Sequence, residues 1–381
     1  MARLGAVCPS CASVCADAPV YRLDGVPALE MAIYRSQDTA RQVPRGDIAL
    51  LACRTCGLVW NAAFDPSLVA YDQAYESTQT HSTAFNRMHA GLAAELVDRC
   101  ALVTGDTVVE IGCGQGEFLT LLNETAGVTG LGFDPAFRHV ALPDQVTISA
   151  TLFQETTEIE AALVIMKMTL EHLPDTNAML STIHHNVPQC PLFVMVPACE
   201  RIFAQAAYFD IYYEHCAYFT TTSLTNALRL AGFENVVTWT IGDAQYLCAL
   251  AVPGTASGPP LSANFSDICS FQARVDDLLA GWRNRLNAWH AAKRRVVLWG
   301  GGSKAVGFLT SLNLADEVDA VVDINPLKQG AYLAGSGHPV VAPQALTDSP
   351  PDVVIIMNGN YRSEIAADLE ARGLTPELCV L

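Results

Sequence analysis

Two acids, a histidine and several tyrosines crowd into Phe209-Asp210-Ile211-Tyr212-Tyr213-Glu214-His215-Cys216-Ala217-Tyr218-Phe219-Thr220. A histidine can take a proton near neutral pH, a tyrosine can donate to an oxyanion, and a carboxylate can fix a histidine tautomer. Tyr212, Glu214 and His215 are therefore candidate catalytic residues: base (His215), donor to an enolate oxygen (Tyr212) and orienting carboxylate (Glu214). The plainer reading of the segment is a helix start with a satisfied histidine. His172, in Leu170-Glu171-His172-Leu173-Pro174, follows the apolar run Ala162 to Met166 and is a further catalytic candidate.

Such groups need a cofactor or substrate held beside them. Val108-Val109-Glu110-Ile111-Gly112-Cys113-Gly114-Gln115-Gly116-Glu117-Phe118-Leu119 reads as a buried strand, a glycine turn and a helix start. Its GxGxG spacing, with an acid two positions before the first glycine, departs from the dinucleotide GxGxxG pattern, although a dinucleotide domain remains the alternative. The run Gly130-Leu131-Gly132-Phe133-Asp134-Pro135 then puts an acid at the end of a second strand, where a carboxylate can accept from ribose hydroxyls. This pair resembles the motifs of class I methyltransferases. The resemblance implies S-adenosylmethionine as cofactor, with Glu110, Gly112, Gly114 and Gly116 around its methionine part and Asp134 on its ribose. Phe153 and Gln154, after the weak run Val146 to Ile148, fall where that family brackets adenine.

Cys8-Pro9-Ser10-Cys11 and Cys53-Arg54-Thr55-Cys56-Gly57 are two CxxC knuckles, which together offer four thiolates to one tetrahedral ion. Four thiolates close the coordination shell, so a zinc ion there is structural. Chance pairing of buried cysteines, with Cys15 as an interloper, and redox chemistry are the alternatives. The thirteen cysteines are odd in number and scattered, unlike a secreted disulfide framework, and point to a reducing compartment.

A second strand and glycine turn, Val296-Val297-Leu298-Trp299-Gly300-Gly301-Gly302-Ser303-Lys304-Ala305, precedes Val321-Val322-Asp323-Ile324-Asn325-Pro326. A nucleotide subsite using Gly300, Gly302, Ser303, Lys304 and Asp323 competes with a vestigial fold whose glycines only permit tight packing.

The elements that must position these residues follow from 381 residues, more than one core requires. The expected architecture is α/β: a β-rich zinc-binding module over 1–70, a Rossmann-like methyltransferase core over 71–255, and a linker helix with a smaller Rossmann-like unit over 256–381. Strands are expected at Thr107 to Ile111, Val128 to Phe133, Ala162 to Met166 and Leu192 to Val196, then at Arg295 to Trp299, Val318 to Asp323 and Asp352 to Met357. Helices are expected over residues 84–103 and from Ile268 to Ala292, the latter after a Gly/Pro/Ser-rich boundary at Val252 to Pro260. A formal charge of −17 argues against nucleic-acid and anionic-membrane partners. No apolar run is long enough to span a bilayer, so a soluble cytoplasmic protein is expected.

Knuckles, glycine motif, YxEH with a following YFT, and the C-terminal unit together resemble the zinc-containing sugar C-methyltransferases of deoxysugar pathways across nearly the whole chain. That resemblance implies methylation beside the keto group of a nucleotide-linked sugar, a small-molecule partner, and catalytic roles for Tyr212, Glu214, His215 and His172. It also implies substrate contacts from Tyr75 and the C-terminal residues Gly302, Ser303, Lys304 and Asp323, while Gln245, in a loop that departs from the family pattern, is a further substrate-facing candidate read from the residues alone. Where those enzymes carry an HGG-type loop, this chain has Ile241-Gly242-Asp243-Ala244-Gln245-Tyr246-Leu247. Methylation of another small metabolite at carbon, nitrogen or oxygen, and a silent nucleotide-binding scaffold, are the rival readings.

Overall fold

The computed structural model describes residues 7–15, 18–71, 75–76, 78–154, 159–255, 259–264, 266–314 and 316–381. The expected boundary at 255/256 falls against residues 256–258, which lie outside the described residues. Three sheets organise the chain.

The N-terminal sheet pairs Tyr21–Pro27, Arg45–Ala52 and Val59–Asn61 antiparallel. Its fourth strand, Ala217–Tyr218, comes from far along the chain, with Val59 opposite Tyr218 and Trp60 opposite Ala217. Side chains alternate across a strand, and the inner part of this sheet is buried on both faces, while Arg22, Asp24, Arg45 and Asp47 are exposed. Ile48, Leu50, Ala52, Val59 and Tyr218 pack into a core shared with Val296, Leu298 and Phe308. Leu51, Leu58, Trp60 and Ala217 pack instead with Val109, Val164 and Val194. The sheet is thus a wedge between two α/β units.

The central sheet has seven strands. Val146–Ser149, Thr129–Phe133, Thr107–Ile111, Leu163–Lys167 and Leu192–Pro197 run parallel in that spatial order. The hairpin Phe233–Ile241 and Tyr246–Pro253 completes it, antiparallel against Leu192–Pro197. The order reverses between Thr107–Ile111 and Leu163–Lys167, the switch point at which open α/β sheets form a ligand crevice. Helix Thr83–Arg99 covers one face through Leu92, Ala93 and Leu96, and starts where Ser82 accepts from the Phe85 N–H.

The last sheet is parallel throughout, in the order Val340–Val341, Ala320–Val322, Val296–Trp299, Val353–Ile356 and Glu377–Val380. Helix Phe271–Ala291 leads into it and buries Val275, Trp282, Leu286 and Trp289. The expected strands and long helices are present within a few residues of their expected ends. The hairpin Phe233–Ile241/Tyr246–Pro253 and the two flanking strands of the last sheet were not anticipated, and Tyr246–Pro253 runs into the stretch read as linker. Among the described residues no helix is long and apolar enough to cross a membrane.

The wedge also clamps the candidate catalytic segment. A methyl group on Gly46 would sit 2.2 Å from the Tyr213 ring. Gly46→Ala is expected to lower stability by about 1–3 kcal/mol through overpacking, read as a shift of the urea midpoint with an unchanged slope.

Candidate functional site

The four knuckle cysteines converge. Cys8 and Cys56 sulfurs are 3.6 Å apart and Cys11 and Cys53 sulfurs 3.5 Å, with all four within 4.8 Å of one another. Zinc–sulfur bonds of about 2.3 Å place neighbouring sulfurs about 3.8 Å apart in a tetrahedron, whereas a disulfide needs about 2.05 Å. The donor set therefore fits one metal ion. Both knuckles turn alike: the residue after the second cysteine, Ala12 or Gly57, is left-handed (φ 57° and 83°) and donates its N–H to the first cysteine's carbonyl. Cys15 lies outside the four-sulfur group.

The first glycine loop leaves strand Thr107–Ile111 at Gly112, whose φ of 72° and closeness to Thr169 exclude a larger side chain. Gly112 N–H donates to the Phe133 carbonyl, Gly114 N–H to Asp134 Oδ2 at 2.8 Å, and Ala136 N–H to Asp134 Oδ1 at 2.8 Å. The C-terminal unit repeats this pattern bond for bond. Gly300 N–H donates to the Val322 carbonyl, Gly301 N–H to Asp323 Oδ2 at 2.8 Å, and Asn325 N–H to Asp323 Oδ1 at 2.8 Å. Both loops open into one cleft of about 550 Å³, so two half-sites of the same design face each other.

Around the first loop, Glu110 is fully buried, and neither carboxylate oxygen has a hydrogen-bond partner among the described residues. Burial raises it to about 8, against Lys167, whose Nζ is 4.0 Å away. Gly116 caps helix Glu117–Ala126 and lies outside the cleft lining, so its part is in the turn. Phe153 lines the cleft, edge-on to Phe133 with centroids 5.3 Å apart. Gln154 does not: it is exposed, and its carbonyl accepts from Asn186. Neighbours in an extended backbone face opposite ways, which sets these two apart.

Between the loops lie Tyr212, Glu214, His215, His172, Tyr75 and Gln245, all in the cleft wall. The ring of His215 stands 4.7 Å from those of both His172 and Tyr212. Burial, then His172 and Lys304, pushes His215 well below the usual histidine value, so it is neutral at physiological pH. His172 is lowered to about 4 by burial, and its Nδ1 is 2.7 Å from the Tyr71 hydroxyl.

Three expected roles change. Tyr212 donates its hydroxyl to Asp210 at 3.0 Å, so in this arrangement that proton is not available to an enolate. Glu214 accepts from the Glu30 N–H at 2.6 Å and the Tyr75 hydroxyl at 2.8 Å, contacts that turn it away from His215. Lys304 pairs with Asp210, as does Arg201, so it braces the catalytic segment. Burial pushes Asp210 up, but these two cations bring it below the ordinary carboxylate value. Gly302, Ser303 and Asp323 line the cleft. Gln245 sits at the hairpin tip and accepts from Asn358 and Asn360 of the C-terminal unit. Tyr71, Lys167, Thr169, Arg138, Asp210 and Glu171 also belong to the site or its supports. Only Glu171 and Asp210, inside the singled-out runs, carried a signal.

A family described as a methyltransferase domain matches residues 85–238, and one described as a C-methyltransferase C-terminal domain matches residues 263–373. The C-methyltransferase NovU of Streptomyces niveus is 24% identical over 344 residues, covering 83% of this chain and 81% of the relative. Among solved structures, a Haloferax volcanii Trm112 methyltransferase activator complex covers 46% of this chain and 93% of that one at 16% identity, TM-score 0.38. Magnesium protoporphyrin IX methyltransferase from Synechocystis, with bound S-adenosylhomocysteine, covers 45% and 84% at 17% identity, TM-score 0.35. The chain is an S-adenosylmethionine-dependent methyltransferase that carries a methyltransferase domain and, behind it, a C-methyltransferase C-terminal domain.

The likeness of the two half-sites yields a contrast. Asp134→Ala is expected to weaken S-adenosylhomocysteine binding about 10- to 100-fold, the worth of hydrogen bonds to a charged group. Asp323→Ala should leave that affinity within about twofold. Calorimetric titration of both variants checks this.

Proposed function

We propose that this methyltransferase methylates carbon next to the keto group of a nucleotide-linked sugar, with His215 as base. The observation that carries the reading is the single cleft with a glycine loop at each end and His215 between them. Gly112, Gly114 and Asp134 would hold S-adenosylmethionine, which supplies an electrophilic methyl group on sulfur. Gly300, Gly302 and Asp323 would hold the substrate's nucleotide, leaving its sugar beside His172 and His215. There the substrate C–H breaks to a ring nitrogen of neutral His215. The C–C bond forms as the sulfur–methyl bond breaks, and S-adenosylhomocysteine leaves. Tyr71 with His172, rather than Tyr212, is the hydrogen-bonded pair facing the enolate oxygen. NovU is named a C-methyltransferase, and the matched C-terminal family carries the same description. The knuckle cysteines would hold one structural zinc ion.

A different small-molecule acceptor is the second reading, favoured by the hairpin tip at Gly242 to Gln245, which is tied to Asn358 and Asn360. Incubating the protein with S-adenosylhomocysteine and a deoxythymidine-diphosphate 4-keto sugar in deuterium oxide separates the two. Exchange of hydrogen beside the carbonyl, reduced at least about 100-fold in His215→Gln, is expected for loss of a positioned base. No exchange with any nucleotide 4-keto sugar would favour the other acceptor. Metal analysis is expected to find one zinc per chain, lost in Cys53→Ser together with a lower unfolding midpoint.

A further inference from the structure

A base must hold the proton it takes, and the surroundings of His215 disfavour that. Burial, His172 and Lys304 all penalise its charged form. The carboxylate expected to offset this, Glu214, is committed to the Glu30 N–H and Tyr75.

Another carboxylate lies closer in function. Glu171 is 1% exposed, and neither of its side-chain oxygens has a hydrogen-bond partner among the described residues. The Nδ1 of His215 is likewise buried without one. A carboxylate oxygen of Glu171 and a ring nitrogen of each of His172 and His215 lie within 4.8 Å of one another. The backbone carbonyl of Glu171 accepts from Cys216, the residue after the base, so the two segments are already tied. Two orphaned, complementary groups at this spacing are costly to leave apart and need only a small side-chain rotation to meet.

We propose that Glu171 is the positioning residue of the catalytic base: its carboxylate accepts the Nδ1 proton of His215 and thereby holds the imidazolium formed when substrate loses its proton. The inference rests on the keto-sugar reading for its chemistry, though not for its geometry. The protons balance as follows. With one proton on the pair, Glu171 is ionised, Nδ1 carries hydrogen and Nε2 is bare. Transfer from the substrate C–H to Nε2 then gives an imidazolium and a carboxylate in contact, and the electron pair stays on the substrate as enolate. With two protons on the resting pair, Nε2 is blocked. Burial raises Glu171 to about 8, with its own backbone N–H and Lys167 opposing. Other groups facing the pair are His172, Tyr71, Tyr212, Lys304 and Cys216. A raised carboxylate is protonated below its folded value, so base competence should appear as pH rises through about 8.

Two readouts test this on the full-length protein. Nitrogen-15 NMR of imidazole-labelled protein, without substrate, is expected to show the His215 Nδ1–H tautomer growing in as the pair loses its proton near pH 8. That step should vanish in Glu171→Gln and persist in Glu214→Gln. In the deuterium-exchange reaction, Glu171→Gln is expected to lower the rate at least about 100-fold with little change in KM. Its pH limb should move well below the usual histidine range as the histidine titrates alone, while Glu171→Asp, which keeps the carboxylate, should recover part of the rate. S-Adenosylhomocysteine affinity should be unchanged in both variants. The idea is overturned if Glu171→Gln leaves the His215 titration as in the native protein, whatever happens to the rate. A second divalent cation per chain that Glu171→Gln removes would also overturn it, since the three side chains would then be ligands. Should native protein show no exchange, the keto-sugar reading fails and the NMR arm still decides Glu171.

Discussion

The pairing of Val59 and Trp60 with Tyr218 and Ala217 is the constraint on which the site depends. Two residues of strand contribute little by themselves, but they end a segment that begins at strand Leu192–Pro197 of another sheet. Everything between is held under tension of position: Asp210 by Arg201 and Lys304, Tyr213 against Gly46, and the Tyr212 backbone by the Tyr218 hydroxyl at 3.1 Å. Removing one partner of a buried ion pair costs about 3–5 kcal/mol, so each support fixes His215 far more firmly than a surface loop would. The second cysteine knuckle, Cys53 to Cys56, joins strands Arg45–Ala52 and Val59–Asn61 of this same wedge, which ties the thiol cluster to the sheet that holds the segment around His215.

Charge is placed with the same economy. The chain carries −17 overall, yet the cleft gathers cations and assigns each to an acid: Lys167 near Glu110, Arg138 on Glu76, Lys304 on Asp210, Lys328 near Asp323. Coulombic attraction grows as water leaves, so these pairs rigidify the walls without spending a free positive charge. His215, like His172 and His89 in the same cleft, is left neutral, and its buried Nδ1 has no hydrogen-bond partner among the described residues. An environment of paired charges around buried, neutral imidazoles suits proton transfer.

Much of this was legible in the chain. Both glycine turns, the acids at Asp134 and Asp323 and the four cysteines announce themselves through local spacing, because backbone geometry at a strand–helix turn is dictated by adjacent residues. The wedge was harder to read. Ile48 to Cys53 is a continuous apolar run because both faces are buried, and such a run gives no clue to which neighbours cover it. Contacts between distant segments were beyond reach altogether. Nothing local says that Tyr212 spends its proton on Asp210, or that Lys304 braces the catalytic segment.

The twin half-sites explain why one chain needs two such units. In each, an acid at the end of the second strand accepts from a glycine-loop N–H and from the N–H two residues beyond itself. That geometry pre-orients a carboxylate toward the crevice before any ligand arrives, so little reorganisation is needed on binding. On the proposed reading, a cofactor end and a substrate end built this way can be set independently, while the wedge holds the two units apart at a fixed distance. Methyl transfer demands near-contact of donor carbon and acceptor carbon along one line. A rigid sheet, buried on both faces where it meets the two α/β units, is a sound way to hold two adaptable sites at the separation that line requires.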